Sequence, residues 1–242
     1  IVTGGARDIG KEVTLKLVGA GASVVFNYYG SEDEARVTEK EAKTMGGNVV
    51  ALQGDMTCQE DVDALVSAAQ SAFGGAIDIL VNVAGGLIAR KSLSEMDIDF
   101  FKTVVDLNLT STFLTTKACV PHMAPGSAIV NLASQAGRDG GGPGASAYAC
   151  SKGAVMTFTR AMAKELGPQN IRVNALCPGM ISTTFHDTFS KDEVRKNVAN
   201  STPLRREGKP EEIADTVLYL ASDSSSFLTG VNIDTNGGLF FS

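Results

Sequence analysis

Tyr148 and Lys152 are four residues apart, a spacing that places two side chains on the same face of a helix. Tyrosine ionises near a pKa of about 10, and a neighbouring cation favours the phenolate and lowers that pKa. Ser134, upstream of this pair, carries a hydroxyl that could donate a hydrogen bond to an oxygen on which negative charge develops. A tyrosine and a lysine at this spacing are usually only a surface pair. The three residues predict a site for proton transfer if the chain brings Ser134 and Tyr148 together.

A second candidate site lies at the start of the chain, in the sequence Thr3-Gly-Gly-Ala-Arg-Asp-Ile-Gly10. Gly4 and Gly10 flank the predicted turn from the first strand into the first helix. Glycines let the backbone approach a pyrophosphate closely, and a helix N-terminus offers free N–H groups with a partial positive charge. Glycines also mark ordinary strand-to-helix turns. The pattern favours a nucleotide site, which the remaining motifs must support.

The elements that position these residues alternate between apolar runs of strand length and helical patterns, which is typical of βαβ units and a parallel sheet. After a first strand at the glycines, the predicted strands cover residues 23–27, 48–52, 77–81, 127–132, 170–174 and 231–233. The predicted helices cover residues 11–20, 31–45, 59–73, 95–121, 147–166 and 210–221. Right-handed crossovers place the carboxyl ends of all strands at one edge, where open α/β sheets bind ligands. We predict one doubly wound α/β domain over residues 1–242, with about seven strands and helices on both faces.

Composition excludes several other classes of protein. Of 242 residues, 43% are hydrophobic and 20% are charged, so the chain can form a full core and is not expected to be disordered. No run approaches the ~20 apolar residues of a membrane span, and the net charge of −6 comes with no basic stripe for nucleic acid. The four cysteines and two histidines are too scattered for a disulfide framework or a metal site, which predicts a reduced, cytoplasmic protein without metal.

Two stretches call for separate expectations. The chain opens on Ile1, with barely three residues before the glycines, so we expect a few residues to precede it in the natural protein. Segment 181–209 is polar and weakly periodic, and we expect it to be a substrate loop that makes a mobile excursion over the ligand edge of the sheet.

Taken together, the motifs resemble those of the classical short-chain dehydrogenase/reductase family, in order and spacing, over essentially the whole chain. The matching motifs are Thr3-Gly-x-x-x-Asp8-x-Gly10, Asn82-Val83-Ala84-Gly85, Asn108, Ser134, Tyr148-x-x-x-Lys152 and Pro178-Gly179. The chain departs from the family at Asp8, where glycine is usual, and at Val83, where a second asparagine is usual. A carboxylate at Asp8 would repel a bound pyrophosphate mildly. We favour a role for Asp8 as the cap of the first helix.

The resemblance implies a single-domain Rossmann-type fold and an NAD(P)-dependent oxidoreductase that transfers a hydride between nicotinamide and a carbonyl or alcohol. It implies that Tyr148 is the general acid for reduction and the base for oxidation, and that Lys152 lowers its pKa and holds the nicotinamide ribose. Ser134 would hydrogen-bond the substrate oxygen, and Asn108 would fix a water that links Lys152 to solvent. The implied cofactor contacts are Gly4, Arg7, Ile9, Tyr28, Asp55, Met56, Asn82, Ala84, Gly85, Tyr148, Lys152, Pro178, Gly179, Ile181 and Thr183.

The expected cofactor is NADP(H), with NAD(H) as the alternative. A carboxylate about 20 residues after the glycines would bind the ribose 2′-hydroxyl of NAD. Tyr28 occupies that place here, and no acid follows until Glu32. Arg7 lies inside the glycine turn, where relatives that use NADPH often carry a basic residue facing the 2′-phosphate.

The substrate stays open between two classes. The general pattern resembles 3-oxoacyl-carrier-protein reductases, but many sugar and polyol dehydrogenases share it. Arg90, Lys91, Gln135, Arg138 and segment 183–187 could meet a polar or anionic ligand, so a sugar-derived or uronic keto compound is as well supported as a 3-oxoacyl thioester. A non-catalytic dinucleotide sensor is less favoured because such proteins commonly lack the tyrosine or the lysine. A nicotinamide-dependent epimerase or dehydratase is less favoured because such chains are usually longer.

Assembly as a homotetramer is also expected. Helices 95–121 and 147–166 carry apolar residues on more than one side, among them Phe113 and Phe158. In relatives these helices pair across a dimer interface, and a C-terminal segment equivalent to residues 237–241 helps to form a tetramer. The only other partner expected is a small-molecule carbonyl substrate, with no nucleic acid and no membrane.

Overall fold

The computed structural model describes residues 1–242 and contains one parallel sheet of seven strands in the order β3-β2-β1-β4-β5-β6-β7. The strands are β1 Val2–Thr3, β2 Val24–Tyr28, β3 Val49–Gln53, β4 Ile79–Asn82, β5 Ala128–Leu132, β6 Arg172–Pro178 and β7 Asn232–Thr235. The α-helices are α1 Asp8–Gly19, α2 Glu32–Thr44, α3 Gln59–Phe73, α4 Ile98–Val105, α5 Ser111–Cys119, α6 Ala136–Asp139, α7 Ser146–Leu166, α8 Thr184–Phe189, α9 Asp192–Ser201 and α10 Pro210–Ala221. The predicted Rossmann-type fold is confirmed.

The strands form where the sequence is continuously apolar, because a parallel sheet is covered on both faces. Every residue of β5 and β6 is buried. Neighbouring residues of one strand belong to different core clusters: Val130 packs with α1 and α10, whereas Ile129 packs with α3 and α7. Since successive side chains point to opposite faces, the two clusters are the two layers beneath the helices. Burial of each such side chain stabilises the fold by about 1.5–3 kcal/mol.

One predicted helix is wrong as a single element. The pattern over 95–121 predicts one helix, but the structure has α4, a π-helical turn at Asp106–Thr110, and then α5. Hydroxyl groups interrupt the regular ladder: Ser111 Oγ donates to the Leu107 carbonyl at 2.6 Å, and Thr112 Oγ1 donates to the Asn108 carbonyl at 3.0 Å. Such bonds to the carbonyl four residues back compete with the backbone and bend helices.

Segment 181–209 is more regular than its sequence pattern indicates, because it contains the two short helices α8 and α9. Arg195 in α9 fixes the segment from within: its guanidinium makes two hydrogen bonds to the Glu207 carboxylate, each 2.7 Å long, and another bond to Asp187. Because ion pairs rather than apolar contacts hold this segment, its sequence shows little apolar periodicity. None of the helices in the structure is both long and apolar enough to cross a membrane.

Candidate active site

The carboxyl ends of the strands open into a single large cavity of about 1360 Å³. Its walls come from the first glycine turn, the ends of β2 to β6, the start of α7 and the segment that carries α8 and α9. The predicted site residues that line it are Gly4, Arg7, Ile9, Tyr28, Asp55, Met56, Ala84, Gly85, Ser134, Tyr148, Lys152, Pro178, Gly179, Ile181 and Thr183. Asn82 and Asn108 lie outside the lining.

The first glycine turn is tightly fitted between its neighbours. Gly4 has a φ of +63°, and a Cβ atom added to it would lie 3.0 Å from the Ala84 amide nitrogen. A Cβ atom on Gly10 would lie only 1.9 Å from the Gly4 carbonyl oxygen. Thr3 Oγ1 accepts hydrogen bonds from the amides of Val83 and Ala84, both at 3.1 Å. The turn therefore holds the N-terminus of α1 at the cavity wall, an arrangement that suits a pyrophosphate.

The prediction that Asp8 caps α1 is wrong. Arg7 is the N-cap residue, and no side chain makes a capping bond there. Asp8 has a φ of 51°, in the left-handed region. Its carboxylate makes its hydrogen bonds outside the helix. It accepts hydrogen bonds from the Thr184 amide at 3.0 Å, from the Thr184 hydroxyl, and from Arg7 Nη1 at 2.9 Å. The left-handed backbone directs this side chain across the cavity rim, away from the free N–H groups of its own helix.

Ser134 and Tyr148 converge because the short helix α6 meets the first half of α7 at glycines. Ser134 follows β5 immediately before α6, and Tyr148 lies in the first turn of α7. A Cβ atom on Gly137 would lie 2.7 Å from the Gly153 amide nitrogen, so the backbones of α6 and α7 touch at this point. Ser134 and Tyr148 line the same cavity, and the Ser134 hydroxyl lies close enough to the phenol to affect its pKa. The sequence has one glycine in each helix at this contact, but two isolated glycines do not predict that the helices meet there.

Burial sets the charge states of the tyrosine and the lysine. It raises the pKa of Tyr148, and hydrogen bonding with Ser134 opposes that rise. Burial also lowers the pKa of Lys152 to about 8. The expectation that Lys152 lowers the pKa of Tyr148 does not describe this structure, because desolvation is the dominant effect on the phenol. The Lys152 ammonium lies 5.9 Å from the centre of the Tyr148 ring and donates a 2.6 Å hydrogen bond to the Leu132 carbonyl.

Below about pH 8 the site therefore holds a protonated phenol beside an ammonium group. A phenol that keeps its proton at neutral pH can deliver it to an oxygen that becomes basic during a reaction. The arrangement is chemically suited to general acid catalysis.

Asn108 lies behind the cavity wall and holds the neighbouring glycine turn in place. Its side chain is fully buried in the π-helical turn. Its Oδ1 accepts from the Gly86 amide at 3.0 Å, and its Nδ2 donates to the carbonyls of Gly86 and Val104, both at 2.8 Å. A Cβ atom on Gly85 would lie 2.6 Å from Asn108 Oδ1 and 3.1 Å from Lys152 Nζ. Asn108 thus fixes the glycine turn against Lys152, and its predicted water contact stays a prediction.

Asn82, expected among the cofactor contacts, does not line the cavity, and its contact with a cofactor stays a prediction. Its side chain is buried beneath the cavity, where Nδ2 donates to Asn131 Oδ1 at 2.9 Å and Oδ1 accepts from Thr115 Oγ1 at 2.7 Å. Both ends of the amide are therefore used to fasten β4 to β5 and α5. The turn that follows, Ala84 and Gly85, does reach the cavity.

The end of β2 carries no carboxylate that faces the cavity. Tyr28 and Tyr29 line it, whereas Glu32 does not. Asp55 at the end of β3 is held in place by two bonds to one residue, because its Oδ1 accepts from the Thr57 amide at 2.8 Å and from the Thr57 hydroxyl at 2.7 Å.

Of the polar residues considered for substrate binding, the structure places some in the cavity lining and others outside it. Arg90 and Gln135 line the cavity. Arg138 does not, because its guanidinium is bound to the Asp234 carboxylate at 2.6 Å and to the Asn232 carbonyl at 2.6 Å. Lys91 also lies outside the cavity, where its ammonium covers the Phe100 ring at 4.3 Å. No group of three or more His, Cys, Asp or Glu side chains is gathered as metal ligands would be.

A cluster of aromatic rings lies beside Tyr148, and it was not predicted from the sequence. The Phe185 ring lies 5.8 Å from the Tyr148 ring, and the Phe189 and His186 rings lie 5.2 and 5.0 Å from that of Phe185. The signal for it, a phenylalanine at each end of a polar segment, is too weak to interpret without the fold.

Residues 4–240 match a family model described as Enoyl-(Acyl carrier protein) reductase. The 3-oxoacyl-[acyl-carrier-protein] reductase FabG of Staphylococcus aureus is 35% identical over 246 residues, covering 99% of this chain and 97% of the relative. The 3-oxoacyl-[acyl-carrier-protein] reductase of Synechocystis is 36% identical over 243 residues, covering 99% of this chain and 95% of the relative.

Solved structures agree. A short-chain dehydrogenase/reductase from Serratia marcescens superposes with a TM-score of 0.92 at 32% identity, over 98% of this chain and 95% of that one. The chain belongs to the short-chain dehydrogenase/reductase family. A dehydrogenase/reductase from Sinorhizobium meliloti superposes with a TM-score of 0.94 at 29% identity, over 99% of this chain and 94% of that one.

As a short-chain dehydrogenase/reductase, the protein is an oxidoreductase that uses a nicotinamide cofactor. When bound, that cofactor supplies or accepts the hydride. The residues present fit such a group, because the close glycine turn, the N-terminus of α1 and the Ser134–Tyr148–Lys152 group all open into one cavity.

Proposed function

We propose that the protein is an NADPH-dependent reductase of 3-oxoacyl thioesters. The observation that carries the proposal is the convergence of Ser134 with a Tyr148 phenol whose pKa is raised by burial. Tyr148 donates its proton to the carbonyl oxygen as hydride reaches the carbonyl carbon. Ser134 donates a hydrogen bond to the same oxygen as its negative charge develops. In the reverse direction the Tyr148 phenolate accepts the proton from the alcohol.

Lys152 and Asn108 complete the proposed catalytic group. The Lys152 ammonium stabilises the phenolate that Tyr148 becomes after proton transfer, and it also binds the nicotinamide ribose. Lys152 Nζ and Asn108 Oδ1 both lie beside Gly85 at the cavity wall, where a water would connect the ammonium to solvent. The role of Asn108 is to keep the glycine turn and Lys152 in position, with the water link as a further proposal.

The preference for NADPH rests on charge at the adenosine end. Tyr28 stands where NAD-binding relatives carry an acid, and Glu32, the next acid along the chain, does not face the cavity. Arg7 supplies the cation for the 2′-phosphate, although Asp8 offsets part of its charge through their 2.9 Å contact. Arg7→Ala should therefore raise the Kd for NADPH more than that for NADH, as measured by quenching or calorimetric titration of both. Equal losses would contradict the NADPH preference.

The character of the cavity favours an acyl chain over a polyol. Helices α8 and α9 contribute Phe185, Phe189, Val194 and Val198 to its lining, and Leu239 closes the C-terminal side. Apolar walls bind an alkyl chain and leave the hydroxyl groups of a sugar without partners. The relatives named 3-oxoacyl-[acyl-carrier-protein] reductase support the same substrate class. Arg90 is the feature that would suit an anionic keto compound instead.

Homotetrameric assembly completes the proposal. Phe113 in α5 is 44% exposed and packs edge-to-face on Phe158 of α7, with ring centres 6.4 Å apart. Phe241 at the C-terminus is 81% exposed. Two separate apolar surfaces of this kind suit two different interfaces between copies of the chain.

A substrate panel tests the proposed function. NADPH and NADH are each mixed with a 3-oxoacyl thioester, with the 2-enoyl thioester of the same length, and with a keto-uronate, while the reduced nicotinamide absorbance is followed. We expect NADPH to be consumed with the 3-oxoacyl thioester only. Turnover of the enoyl thioester or the keto-uronate in its place would contradict the substrate assignment. NADPH binding without any turnover would favour the sensor function.

A further inference from the structure

The backbone of Asp8 adopts a conformation that is more favourable for glycine than for aspartate. Its φ of 51° lies in the left-handed region, in which a glycine would be unstrained. Its carboxylate also stands at the first turn of α1, beside the place that suits a pyrophosphate, so it weakens the attraction of that helix end for an anion. What the carboxylate gains in this structure is one partner across the cavity, Thr184.

The contact between Asp8 and Thr184 spans two elements that are far apart in sequence. Thr184 donates to the carboxylate from both its amide and its hydroxyl, and Arg7 Nη1 donates to Asp8 and to the Thr184 hydroxyl as well. A carboxylate that accepts several hydrogen bonds from one residue fixes that residue's orientation as well as its position. Thr184 is the first residue of α8.

The far end of α8 is fixed independently. Arg90 Nε donates to the Phe189 carbonyl at 3.1 Å, and Arg90 Nη1 donates to the Pro143 carbonyl at 2.9 Å. Between these two attachments lies Phe185, which covers the Tyr148 ring. Helix α8 is therefore held at both ends over the residue that is proposed to donate the proton.

We propose that Asp8 is a positioning residue that fastens α8 over Tyr148 and so sets the shape of the carbonyl-binding part of the cavity. This inference rests on the proposed function in that Tyr148 is taken as the proton donor. It explains why an acid is compatible with a turn that otherwise suits glycine: the Thr184 attachment offsets the strain and the repulsion of phosphate.

Hydrogen exchange of the α8 amides tests the attachment without any substrate. Asp8→Gly removes the carboxylate and relieves the strained backbone, so the variant should fold. Thr184→Val removes only the hydroxyl. We expect exchange over residues 184–190 to become about fivefold faster in Asp8→Gly and less so in Thr184→Val, which keeps the amide bond to Asp8. The double variant should exchange more slowly than the product of the two single effects, because both changes act on the same cluster of hydrogen bonds. Thr216→Val, which removes an exposed hydroxyl in α10, serves as the matched control and should leave α8 unchanged.

Unchanged α8 exchange in Asp8→Gly, or effects of the two variants that multiply in the double variant, would overturn the attachment. The positioning role has its own readout. With the substrate found by the panel, Asp8→Gly should raise KM about fivefold while leaving the Kd for NADPH equal or lower. An unchanged KM together with faster exchange would show that α8 is fastened but does not shape the site. If no substrate is turned over, the proposed function fails while the exchange result still decides the attachment.

Discussion

At the scale of single residues, the unusual feature is a buried ammonium group. Lys152 is almost inaccessible to solvent, and its one hydrogen-bond acceptor in the structure is the Leu132 carbonyl. No carboxylate is paired with it, so the folded protein carries this charge at the expense of stability. We propose a chemical reason to tolerate it, since a cation beside the phenol would stabilise the phenolate formed after proton transfer.

This burial predicts a specific dependence of stability on pH. Burial lowers the pKa of Lys152 from 10.5 to about 8, so between these values the unfolded chain keeps a proton that the folded chain has released. The free energy of unfolding should therefore rise with pH in this window, by about 3 kcal/mol for this residue. Denaturant unfolding of the wild type and of Lys152→Met at several pH values measures it.

The comparison between the two proteins isolates Lys152 from other titrating groups. Lys152→Met keeps the length of the side chain and removes the charge, so its stability should lack the rise. Lys196→Met, at an exposed position in α9, is the matched control and should behave as the wild type. A rise of the same size in Lys152→Met would show that another group is responsible.

At the scale of secondary-structure elements, the π-helical turn between α4 and α5 decides the position of the catalytic lysine. The turn directs the Asn108 amide towards the Gly85–Gly86 backbone, which in turn lies against Lys152 Nζ. A π-turn inside a helix is rare and is often found at functional sites. Here its function is to hold the Gly85–Gly86 backbone, which lies beyond the end of β4 and has no strand partner.

Asn108→Ala should therefore damage both stability and turnover. The substitution leaves the Gly86 amide, the Gly86 carbonyl and the Val104 carbonyl without their partner. We expect a loss of about 3 kcal/mol in the free energy of unfolding and a fall in kcat, with a smaller change in the Kd for NADPH. Asn197→Ala, which truncates an exposed amide in α9 that makes no side-chain hydrogen bond, is the control. A stable Asn108→Ala protein would contradict the supporting role.

At the scale of the whole molecule, the apolar residues left on the surface predict the assembly. Phe113→Asp places a charge in the centre of the α5–α7 surface and should split the tetramer into smaller species in analytical ultracentrifugation. Val37→Asp changes a residue that is 58% exposed on α2, outside both proposed interfaces, and should leave the assembly intact. A wild-type monomer, or a Phe113→Asp tetramer, would contradict the arrangement.

The fold was largely predictable because each strand and helix has a local sequence pattern and these patterns recur along the chain. Each strand is an apolar run and most helices have a clear period, so the parallel sheet and its ligand edge followed from the sequence. Contacts between distant elements were not predictable in the same way. The meeting of Gly137 with Gly153, the turn of Asp8 towards Thr184 and the burial of Asn82 each depend on how elements pack. A single sequence carries no periodic signal for such contacts.

The family resemblance singled out Ser134, Tyr148 and Lys152, which line one cavity, and Asn108, which lies behind it, but it did not indicate that burial dominates the pKa of Tyr148. A cation four residues away on a helix suggested a lowered pKa, whereas the cavity around the ring raises it. The raised pKa does not by itself choose the direction of the reaction, because a tyrosine with its ordinary pKa of about 10 also keeps its proton at neutral pH.

The central claim is that Tyr148 supplies the proton for carbonyl reduction, and one comparison tests it most directly. Single-turnover consumption of NADPH with a 3-oxoacyl thioester is measured for the wild type, for Tyr148→Phe, and for Tyr219→Phe as a control that removes a phenol from the surface of α10. We predict that Tyr148→Phe binds NADPH as the wild type does but turns over at least about 10²-fold more slowly, with Tyr219→Phe unaffected. Turnover in Tyr148→Phe comparable to that of the wild type would contradict the claim.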